Sequence, residues 1–328
     1  MTGERGMAQL SIIIPAFNVA PYIAEAVASA LGQSTGDIEV IVVDDGSTDG
    51  TADALAALPR DPRLTLVRQD NAGPSTARNA GLGLATAPLV GFLDGDDRWH
   101  RHKAARHLAL HRERPDIDLS FSAWRTIAHD GTDTGRRGHP RAGPTGFRDL
   151  LRENITGTAS TVVARRAAVT AAGGFDAALR SNVDIDLWLR IVAPRPAIAW
   201  CLGEVLTDYR QRPGQIVGDW RRMAAGWEIV LTKAMALRPL EAAAIAGEAR
   251  ARYRRYLSYI AYRGGDYPAA RELLAAAWRT APLVLLTDRR GLLTSAAVAA
   301  ASVLPDNIHG RLVAKVEAAR ARRAAGDD

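Results

Sequence analysis

Short apolar runs recur through the first third of the chain, at residues 10–14, 38–43, 64–67 and 87–92. Each run has the length of a strand and consists mainly of Ile, Val, Leu and other apolar residues, as buried parallel strands do. The segments that separate the runs have the length and composition of helices. This alternation predicts an α/β fold, with a mostly parallel sheet, right-handed crossovers and helices on both faces.

The rest of the chain predicts a more varied set of elements. These are an exposed amphipathic helix at 99–113, a strand at 117–123, a mobile loop at 129–144, a strand at 159–163, a helix at 165–172, a helix that begins at 182, and closing strands at 198–201 and 205–210. From about residue 220 the pattern is helical to the end. We therefore expect a flexible N-terminus at 1–9, an α/β domain at 10–220 and a helical C-terminal region at 221–328.

Two stretches of the helical C-terminal region have features of their own. Residues 259–282 predict two packed helices and are weakly similar to one tetratricopeptide repeat unit, but a single copy does not support a solenoid. Residues 291–304 are apolar but too short to span a bilayer. We expect them to be buried against the α/β domain rather than inserted in a membrane.

The composition is that of a globular protein, with 47% hydrophobic and 24% charged residues. The net charge is +6, and it comes almost entirely from arginine, with dense runs at 250–255 and 320–323. Such a basic surface is compatible with peripheral contact to anionic lipid headgroups. No nucleic-acid-binding motif is present, so nucleic acid is not an expected partner. The pattern does not indicate an oligomeric state.

Cysteine usage and the N-terminus favour a cytoplasmic protein. Cys201 is the only cysteine, which rules out an intrachain disulfide and fits a reducing compartment; we expect it to be a small core residue. Residues 1–9 lack the apolar core of a signal peptide. The chain contains no run of 18 apolar residues that would form a transmembrane helix.

An acidic cluster, Leu93-Asp94-Gly95-Asp96-Asp97, directly follows the fourth predicted strand. Three carboxylates this close repel one another unless a cation or water compensates their charge. Asp94 and Asp96 flank a glycine and can point to the same side of an extended backbone. Carboxylate oxygens suit Mg²⁺ or Mn²⁺, with phosphates completing the coordination. The alternative is an ordinary acidic turn.

Polar residues also follow the first two predicted strands. Asn18, Asp45 and Asp94 each lie beyond the carboxyl end of a strand, where parallel sheets bind their ligands. Asn18 could instead cap the next helix, and one residue of the pair Asp44-Asp45 could cap the helix that follows it. Because a cap needs only one such side chain, the second aspartate calls for another explanation. Arg78, taken alone, would be an exposed helix residue.

Two further groups leave alternatives open. Asp184 and Asp186 lie at the start of a predicted helix, where they could cap it or provide a carboxylate base. His107 and His111 share a helix face, so a zinc site is conceivable, but no cysteine completes a recognisable ligand pattern.

Assembled in order, these residues resemble family 2 glycosyltransferases of the GT-A fold over about residues 10–220. Five segments carry the resemblance. They are Ser11-Ile12-Ile13-Ile14-Pro15-Ala16-Phe17-Asn18, Val43-Asp44-Asp45-Gly46-Ser47-Thr48-Asp49-Gly50-Thr51, Gly73-Pro74-Ser75-Thr76-Ala77-Arg78-Asn79, Asp94-Gly95-Asp96-Asp97, and Gly173-Gly174-Phe175-Asp176 together with residues 184–190. Each segment alone is weak evidence, whereas five in the right order make a specific match.

The resemblance implies a role for each matching residue. Pro15, Ala16 and Asp45 would contact the base and ribose of a nucleotide-sugar donor, and Asp45 would accept a hydrogen bond from a uracil-like N–H. Asp44 would support that loop. The remaining implied roles are diphosphate contact by Arg78, binding of Mn²⁺ or Mg²⁺ by Asp94 and Asp96, and general-base action by Asp184.

The expected reaction is inverting transfer of one sugar from a nucleotide-diphosphate sugar, with UDP favoured, to a hydroxyl of a glycan or glycolipid acceptor. Two departures from the family pattern bear on it: Val183 stands where the family usually has Glu, and the Gln-x-x-Arg-Trp motif of processive synthases is absent. Alternatives are a non-catalytic nucleotide-sugar-binding scaffold and a nucleotidyltransferase. The latter would need a Gly- and Arg/Lys-rich phosphate loop, which residues 15–18 do not offer.

Overall fold

The computed structural model describes residues 8–195, 199–212, 215, 218–303 and 315. The strands are β1 (Leu10–Ala16), β2 (Ile38–Asp44), β3 (Leu64–Arg68), β4 (Leu89–Phe92), β5 (Arg98–Trp99), β6 (Leu119–Ile127), β7 (Asp133–Gly138), β8 (Gly143–Thr145), β9 (Val162–Arg165) and β10 (Ala199–Arg210). The helices are α1 (Ile23–Leu31), α2 (Thr51–Ala56), α3 (Pro74–Leu84), α4 (Lys103–Glu113), α5 (Phe147–Arg152), α6 (Arg166–Ala171), α7 (Val183–Val192), α8 (Trp220–Leu237), α9 (Pro239–Arg263), α10 (Tyr267–Thr280), α11 (Pro282–Thr287) and α12 (Arg289–Val303).

Strands β1 to β10 of the described residues form one sheet in the order β3-β2-β1-β4-β9-β6-β10-β5, with β7 paired to β6 and β8 to β10. Strands β1 to β4 are mutually parallel. Strand β9 runs antiparallel to both β4 and β6, so the second half of the sheet is mixed. The α/β prediction is confirmed, and the parallel half is the one that carries the predicted nucleotide-binding residues.

Strand β1 is central and buried along its whole length. Leu10 pairs with Ile38 on one side and with Leu89 on the other. Because helices cover both faces of such a strand, the sequence shows a continuous apolar run rather than an alternating one. This is why the first strands could be recognised from sequence.

Two predictions for the second half of the sheet are wrong. The predicted mobile loop at 129–144 contains β7 and β8. Strand β7 is polar, and its Arg137 guanidinium donates to both oxygens of Asp133 at 2.7 Å. It therefore lacks the alternation of apolar and polar residues by which a strand is recognised from sequence. The two predicted closing strands form one strand, β10, with register irregularities between Cys201 and Thr207.

Helix α4 was predicted to be exposed, yet it buries Lys103, His107 and His111 against the sheet. Hydrogen bonds compensate the burial: Lys103 Nζ donates to the Thr161 carbonyl at 2.8 Å, and both imidazoles contact Ser120 Oγ, at 2.7 and 2.9 Å. No group of three His, Cys, Asp or Glu side chains within the described ranges could hold a metal. The two histidines are therefore part of a buried polar network.

The hydrophobic core crosses the predicted boundary at residue 220. Trp227 and Leu231 of α8 and Tyr253 of α9 belong to the same buried cluster as Phe92 and Trp188 of the α/β part. Helices α9 and α10 pack against each other as predicted. Cys201 is buried, also as predicted.

Helix α12 differs from its expected placement. It packs against α9, α10 and α11, and Leu292 and Leu293 remain 48% and 53% exposed. The prediction that this apolar stretch is buried against the α/β domain is therefore wrong, because its described packing partners are the other C-terminal helices. None of the helices that could be described is both long and apolar enough to cross a membrane.

Several predictions fall on residues outside the described ranges. They concern most of the N-terminus at 1–9, the start of the closing strand at residue 198, and the helical continuation and arginine run beyond residue 303.

Candidate active site

The carboxyl ends of β1, β2 and β4 meet at one edge of the sheet. Ala16 pairs with Asp44, Pro15 pairs with Val43, and Asp94 follows β4 after one intervening turn residue. Pro15 and Ala16 are buried at this edge. The structure thus brings the predicted donor-side residues of the three strands together, as parallel pairing requires.

Asn18 does not cap the next helix, contrary to one of its predicted roles. Helix α1 begins at Ile23 with Tyr22 as its N-cap. Asn18 instead adopts a left-handed backbone with φ of 51°, and its Oδ1 accepts a hydrogen bond from the Thr48 backbone N–H at 2.9 Å. It therefore joins the loop after β1 to the loop after β2.

Asp45 stabilises the loop that precedes α3. Its carboxylate accepts hydrogen bonds from Gln69 Nε2 at 2.7 Å, from the Ala72 N–H at 2.9 Å and from the Gly73 N–H at 2.8 Å. Gly73 has φ of 92° and is the N-cap of α3. The buried carboxylate of Asp45 thus fixes the chain that leads into the helix carrying Arg78.

Asp44 is less fully engaged. Its Oδ1 accepts from the Ser47 N–H at 3.0 Å, whereas its buried Oδ2 has no hydrogen-bond partner in the described part of the chain. Arg68 Nε lies 3.6 Å from that oxygen. Within the described residues, Asp45 therefore supports the loop, and Asp44 keeps an acceptor oxygen.

Arg78 and Asp94 form a salt bridge at the edge of the sheet. Arg78 is buried, contrary to the interpretation of an exposed helix residue, and its guanidinium lies over the Phe175 ring, 5.2 Å from the centroid. Its Nε has no described hydrogen-bond partner. A buried cation with a spare donor, beside a carboxylate, suits contact with an anionic ligand.

Asp96 and Asp97 point in different directions. Asp96 Oδ2 accepts from Arg212 Nε at 2.6 Å and from Gln215 Nε2 at 3.2 Å. Asp97 is turned inward, where its oxygens accept from Ser160 Oγ at 2.6 Å and from the Arg210 N–H at 2.8 Å. Burial, together with the charges of the other two aspartates, raises the pKa of Asp97 well above its usual value.

The contacts of Asp97 distinguish it from the other two carboxylates of the acidic cluster. Asp97 does not cap α4, which begins at Lys103 with His102 as its N-cap. With Asp97 turned inward, Asp94 and Asp96 are the carboxylates left for a cation. Their oxygen atoms are of the kind that Mg²⁺ and Mn²⁺ prefer, but no group of three acidic, His or Cys side chains among the described residues could hold a metal by itself.

Asp184 is the second residue of α7 and is half-buried. Burial raises its pKa, while the nearby charge of Arg78 and a 3.4 Å hydrogen bond from Asn154 Nδ2 oppose that rise. A carboxylate with a raised pKa is a stronger base. Asn154 donates to Asp184, and Thr158, four residues further along, donates to Asp94 Oδ2 at 3.4 Å, so the predicted base and the predicted donor-side carboxylate contact the same short segment.

Comparison with known proteins identifies the family. The family model described as "Glycosyl transferase family 2" matches residues 11–173. TuaG of Bacillus subtilis (strain 168), a glycosyltransferase assigned to teichuronic acid biosynthesis, is 32% identical over 222 residues, which are 66% of this chain and 85% of that protein. The chain belongs to glycosyltransferase family 2.

Solved structures agree on the fold of this glycosyltransferase. TarS 1–349 of S. aureus in complex with UDP-GlcNAc superposes with a TM-score of 0.56 at 17% identity, covering 84% of this chain and 90% of that one. The mannosyltransferase PcManGT of Pyrobaculum calidifontis, in complex with GDP-Man and Mn²⁺, gives 0.57 at 20% identity, covering 97% and 87%. The predicted GT-A fold is confirmed.

The second aspartate of the α7 motif has a structural role in the glycosyltransferase. Asp186 is buried and pairs with Arg190, at 2.7 Å, and with Lys233 of α8, at 2.6 Å. The residue before α7, Asn182, is its N-cap and uses no side-chain cap bond. The cap interpretation is therefore wrong for both aspartates.

Several site residues of the glycosyltransferase were not found from sequence. Ser160 connects the acidic cluster internally, since its Oγ donates to Asp97 and accepts from the Asp94 N–H at 3.0 Å. Arg210 is buried at the end of β10, and its Nε donates to the Asp96 carbonyl at 2.7 Å. The sequence signal for Arg210 was its position at the end of a predicted strand, and no sequence signal pointed to Ser160.

Proposed function

We propose that this glycosyltransferase is an inverting, metal-dependent enzyme that moves one sugar from a nucleotide-diphosphate sugar to a hydroxyl acceptor. The observation that carries the proposal is that one segment contacts both carboxylates: Asn154 donates to Asp184, and Thr158 donates to Asp94, the partner of Arg78. A base on one side of a sugar and diphosphate-binding groups on the other are what an in-line displacement needs.

The donor nucleotide would bind at the edge of the sheet formed by β1 and β2. Pro15 and Ala16 would contact the base and ribose, and Asn18 and Asp45 would hold the two loops around them. Asp44 Oδ2, which lacks a described partner, is the candidate acceptor for a base N–H. A uracil offers one such N–H, so we favour a UDP-sugar.

Asp94 and Asp96 would hold Mn²⁺ or Mg²⁺. When bound, such a cation stabilises, as a Lewis acid, the negative charge that develops on the departing diphosphate. Arg78 would contribute to the same stabilisation from the protein side, since its guanidinium is buried and already orientated by Asp94 and the Phe175 ring. Arg212 forms a salt bridge with Asp96. When the donor and the cation bind, Arg212 would either move away from this carboxylate or share it with the cation.

Asp184 would accept the proton of the acceptor hydroxyl as that oxygen attacks the anomeric carbon. Attack from the side opposite to the diphosphate inverts the anomeric carbon, so an α-linked donor gives a β-linked product. Asp186, the neighbouring carboxylate on α7, is held by Arg190 and Lys233 and is not free to act as a nucleophile. This supports a single displacement.

The acceptor would belong to a surface glycan or glycolipid, because the relative TuaG is assigned to teichuronic acid biosynthesis. The absence of the Gln-x-x-Arg-Trp motif of processive synthases supports transfer of one sugar. We further propose a cytoplasmic enzyme that contacts the inner face of the membrane. Exposed Leu283 and Leu286 on α11, together with the arginine-rich composition, support such contact, which sedimentation with anionic and neutral vesicles would test.

A donor screen tests the proposed reaction. Purified protein is incubated with UDP- and GDP-sugars, with Mn²⁺, Mg²⁺ or EDTA, and release of nucleotide diphosphate is measured. We expect release from a UDP-sugar that requires a divalent cation. Binding of UDP without release from any donor would overturn the proposal and favour the scaffold alternative.

A further inference from the structure

Helix α9 of the C-terminal region is hydrogen-bonded to Asn182, the residue before α7 and two residues before Asp184. Tyr253 OH donates to Asn182 Oδ1 at 2.6 Å, and the Tyr253 ring stacks on Trp227 at a centroid distance of 4.4 Å. Asn182 has φ of 56°, a left-handed conformation that asparagine adopts more readily than most other residues, and its Nδ2 also donates to the Met223 carbonyl at 3.0 Å. The position of α9 is therefore fixed relative to the predicted base.

Salt bridges connect α9 to a second segment near Asp184. The buried Arg255 of α9 lies 3.5 Å from Glu153 Oε1, and Arg252 lies 3.8 Å from Glu153 Oε2. The next residue, Asn154, donates to Asp184. Helix α9 is thus held against both segments that flank the carboxylate of Asp184.

Tyr256 belongs to the same part of α9 as the residues that make these contacts with Asn182 and Glu153. It follows Tyr253 by three residues, so both side chains occupy the same face of α9, and their ring centroids are 5.9 Å apart. Tyr256 is half-buried, and its hydroxyl has no hydrogen-bond partner among the described residues. Burial and the charge of Asp184 raise the pKa of Tyr256 to about 12, so the hydroxyl stays protonated and able to donate.

Tyr209 reaches the same cleft from the sheet. Successive side chains of β10 alternate between faces, and Asp208 and Arg210 lie on the α1 face, where Arg210 and the Asp208 partner Arg98 both pair with Glu25. Tyr209 therefore points to the opposite face, towards α7 and α9. It is half-buried, and no described residue bonds its hydroxyl.

The electrostatic surroundings of Tyr209 agree with this direction. Burial raises its pKa, and the charge of Asp97, the nearby Tyr256 hydroxyl and the charges of Asp96 and Asp94 raise it further. Tyr209 is thus near both the acidic cluster and Tyr256, and Tyr256 packs against the core cluster that contains Tyr253 of α9 and Trp188 of α7, the helix that carries Asp184.

We propose that Tyr256 and Tyr209 form the acceptor subsite, where their hydroxyls donate hydrogen bonds to the oxygens of a pyranoside whose reacting hydroxyl faces Asp184. The proposal rests on the proposed glycosyl transfer and adds to it the class of acceptor and the residues that hold it. Half-buried tyrosines combine an apolar ring with a polar tip, which suits the mixed surface of a sugar. The C-terminal helices would then be part of the site that selects the acceptor.

The test compares Tyr256→Phe and Tyr209→Phe with Tyr259→Phe. Each change removes one hydroxyl and keeps the ring, which preserves the packing. Tyr259 lies on the same helix, is half-buried, and its hydroxyl accepts from Arg263 at 3.4 Å, so it is a matched control. Melting temperatures verify that all variants fold.

Binding is measured by saturation-transfer NMR with a panel of p-nitrophenyl glycosides, in the presence of UDP and Mg²⁺, and UDP binding is measured separately by calorimetry. We expect glycoside affinity to fall about tenfold or more in Tyr256→Phe and in Tyr209→Phe, as for the loss of one hydrogen bond to the ligand. UDP affinity should stay within about twofold, and Tyr259→Phe should resemble the wild type.

Unchanged glycoside affinity in both site variants, or no binding of any glycoside to the wild type, would overturn the acceptor subsite. Failure of the proposed function gives a different result, because the wild type would then release no nucleotide diphosphate from any donor. The binding measurement needs no turnover and therefore decides the subsite in either case.

Discussion

At the scale of single residues, the pair Asp44-Asp45 shows how two identical neighbours can have different roles. Asp45 accepts three hydrogen bonds from the 69–73 segment, whereas Asp44 accepts one and keeps a buried oxygen without a described partner. The difference arises because Asp44 is the last residue of β2 and Asp45 the first residue beyond it.

Asp45→Ala should therefore lower stability much more than Asp44→Asn. Removing the Asp45 carboxylate leaves three donors without their partner, which we expect to cost about 2–3 kcal/mol, while the isosteric change at Asp44 should cost less than about 1 kcal/mol. Urea denaturation of both variants measures this. Equal losses in the two variants would contradict the assignment of loop support to Asp45.

The motif residues could be found from sequence because strand ends converge in any parallel sheet, and Asp94 does contact Arg78 and the 154–158 segment that also bonds Asp184. The direction of Asp97 could not be predicted. It depends on Ser160 and Arg210, which lie 63 and 113 residues further along the chain, and no local pattern records such partners. The same reason explains why the acceptor-facing tyrosines were missed.

At the scale of elements, α4 shows how a helix can bury polar residues. Its hydrophobic pattern predicted an exposed helix, but His107, His111 and Lys103 face the sheet and contact Ser120, Ser122 and Thr161. Strands β7 and β8 were missed for a related reason, since their pairing with β6 and β10 does not depend on apolar alternation. Sequence patterns identify elements that are stabilised by apolar burial and miss those held by polar contacts.

Stability should depend on pH through α4. Burial lowers the pKa of His111 from 6.5 to about 4. Below about pH 6.5 the unfolded chain binds a proton at this residue that the folded chain does not, so stability falls as the pH drops from 6.5 towards 4, by up to about 3 kcal/mol.

The measurement is the melting temperature of the wild type and of His111→Gln between pH 8 and pH 4.5. Gln can still bond Ser120 but does not titrate, so the advantage of the wild type at high pH should shrink as the pH falls. A constant difference between the two proteins over this range would contradict burial of a neutral His111.

At the scale of the whole molecule, the α/β part and the C-terminal helices share one core. The boundary predicted at residue 220 coincides with the start of α8, but Leu231 and Trp227 of that helix pack in the same cluster as Phe92 and Trp188. A change of helical periodicity locates an element and does not report which surface the element covers. The C-terminal region is thus placed to influence the site through α9.

Leu231→Ala and Leu240→Ala test the shared core with the same chemical change. Leu231 of α8 is completely buried, so its truncation should lower stability by about 2–5 kcal/mol. Leu240 of α9 is 89% exposed, and its truncation should change stability by less than about 0.5 kcal/mol. Denaturant unfolding measures both, and similar effects would contradict the shared core.

The central claim is that Asp184 removes the acceptor proton while other residues bind the donor. The most direct test is Asp184→Asn, which keeps the size and hydrogen-bonding shape of the side chain and removes its basicity. Sugar transfer is measured with the active donor, and UDP binding by calorimetry; Asp116→Asn, at a surface carboxylate paired with Arg114, is the matched control. We predict that Asp184→Asn lowers transfer by about 100-fold or more with UDP affinity unchanged, and that the control is fully active. Transfer by Asp184→Asn at a rate near that of the wild type would contradict the account.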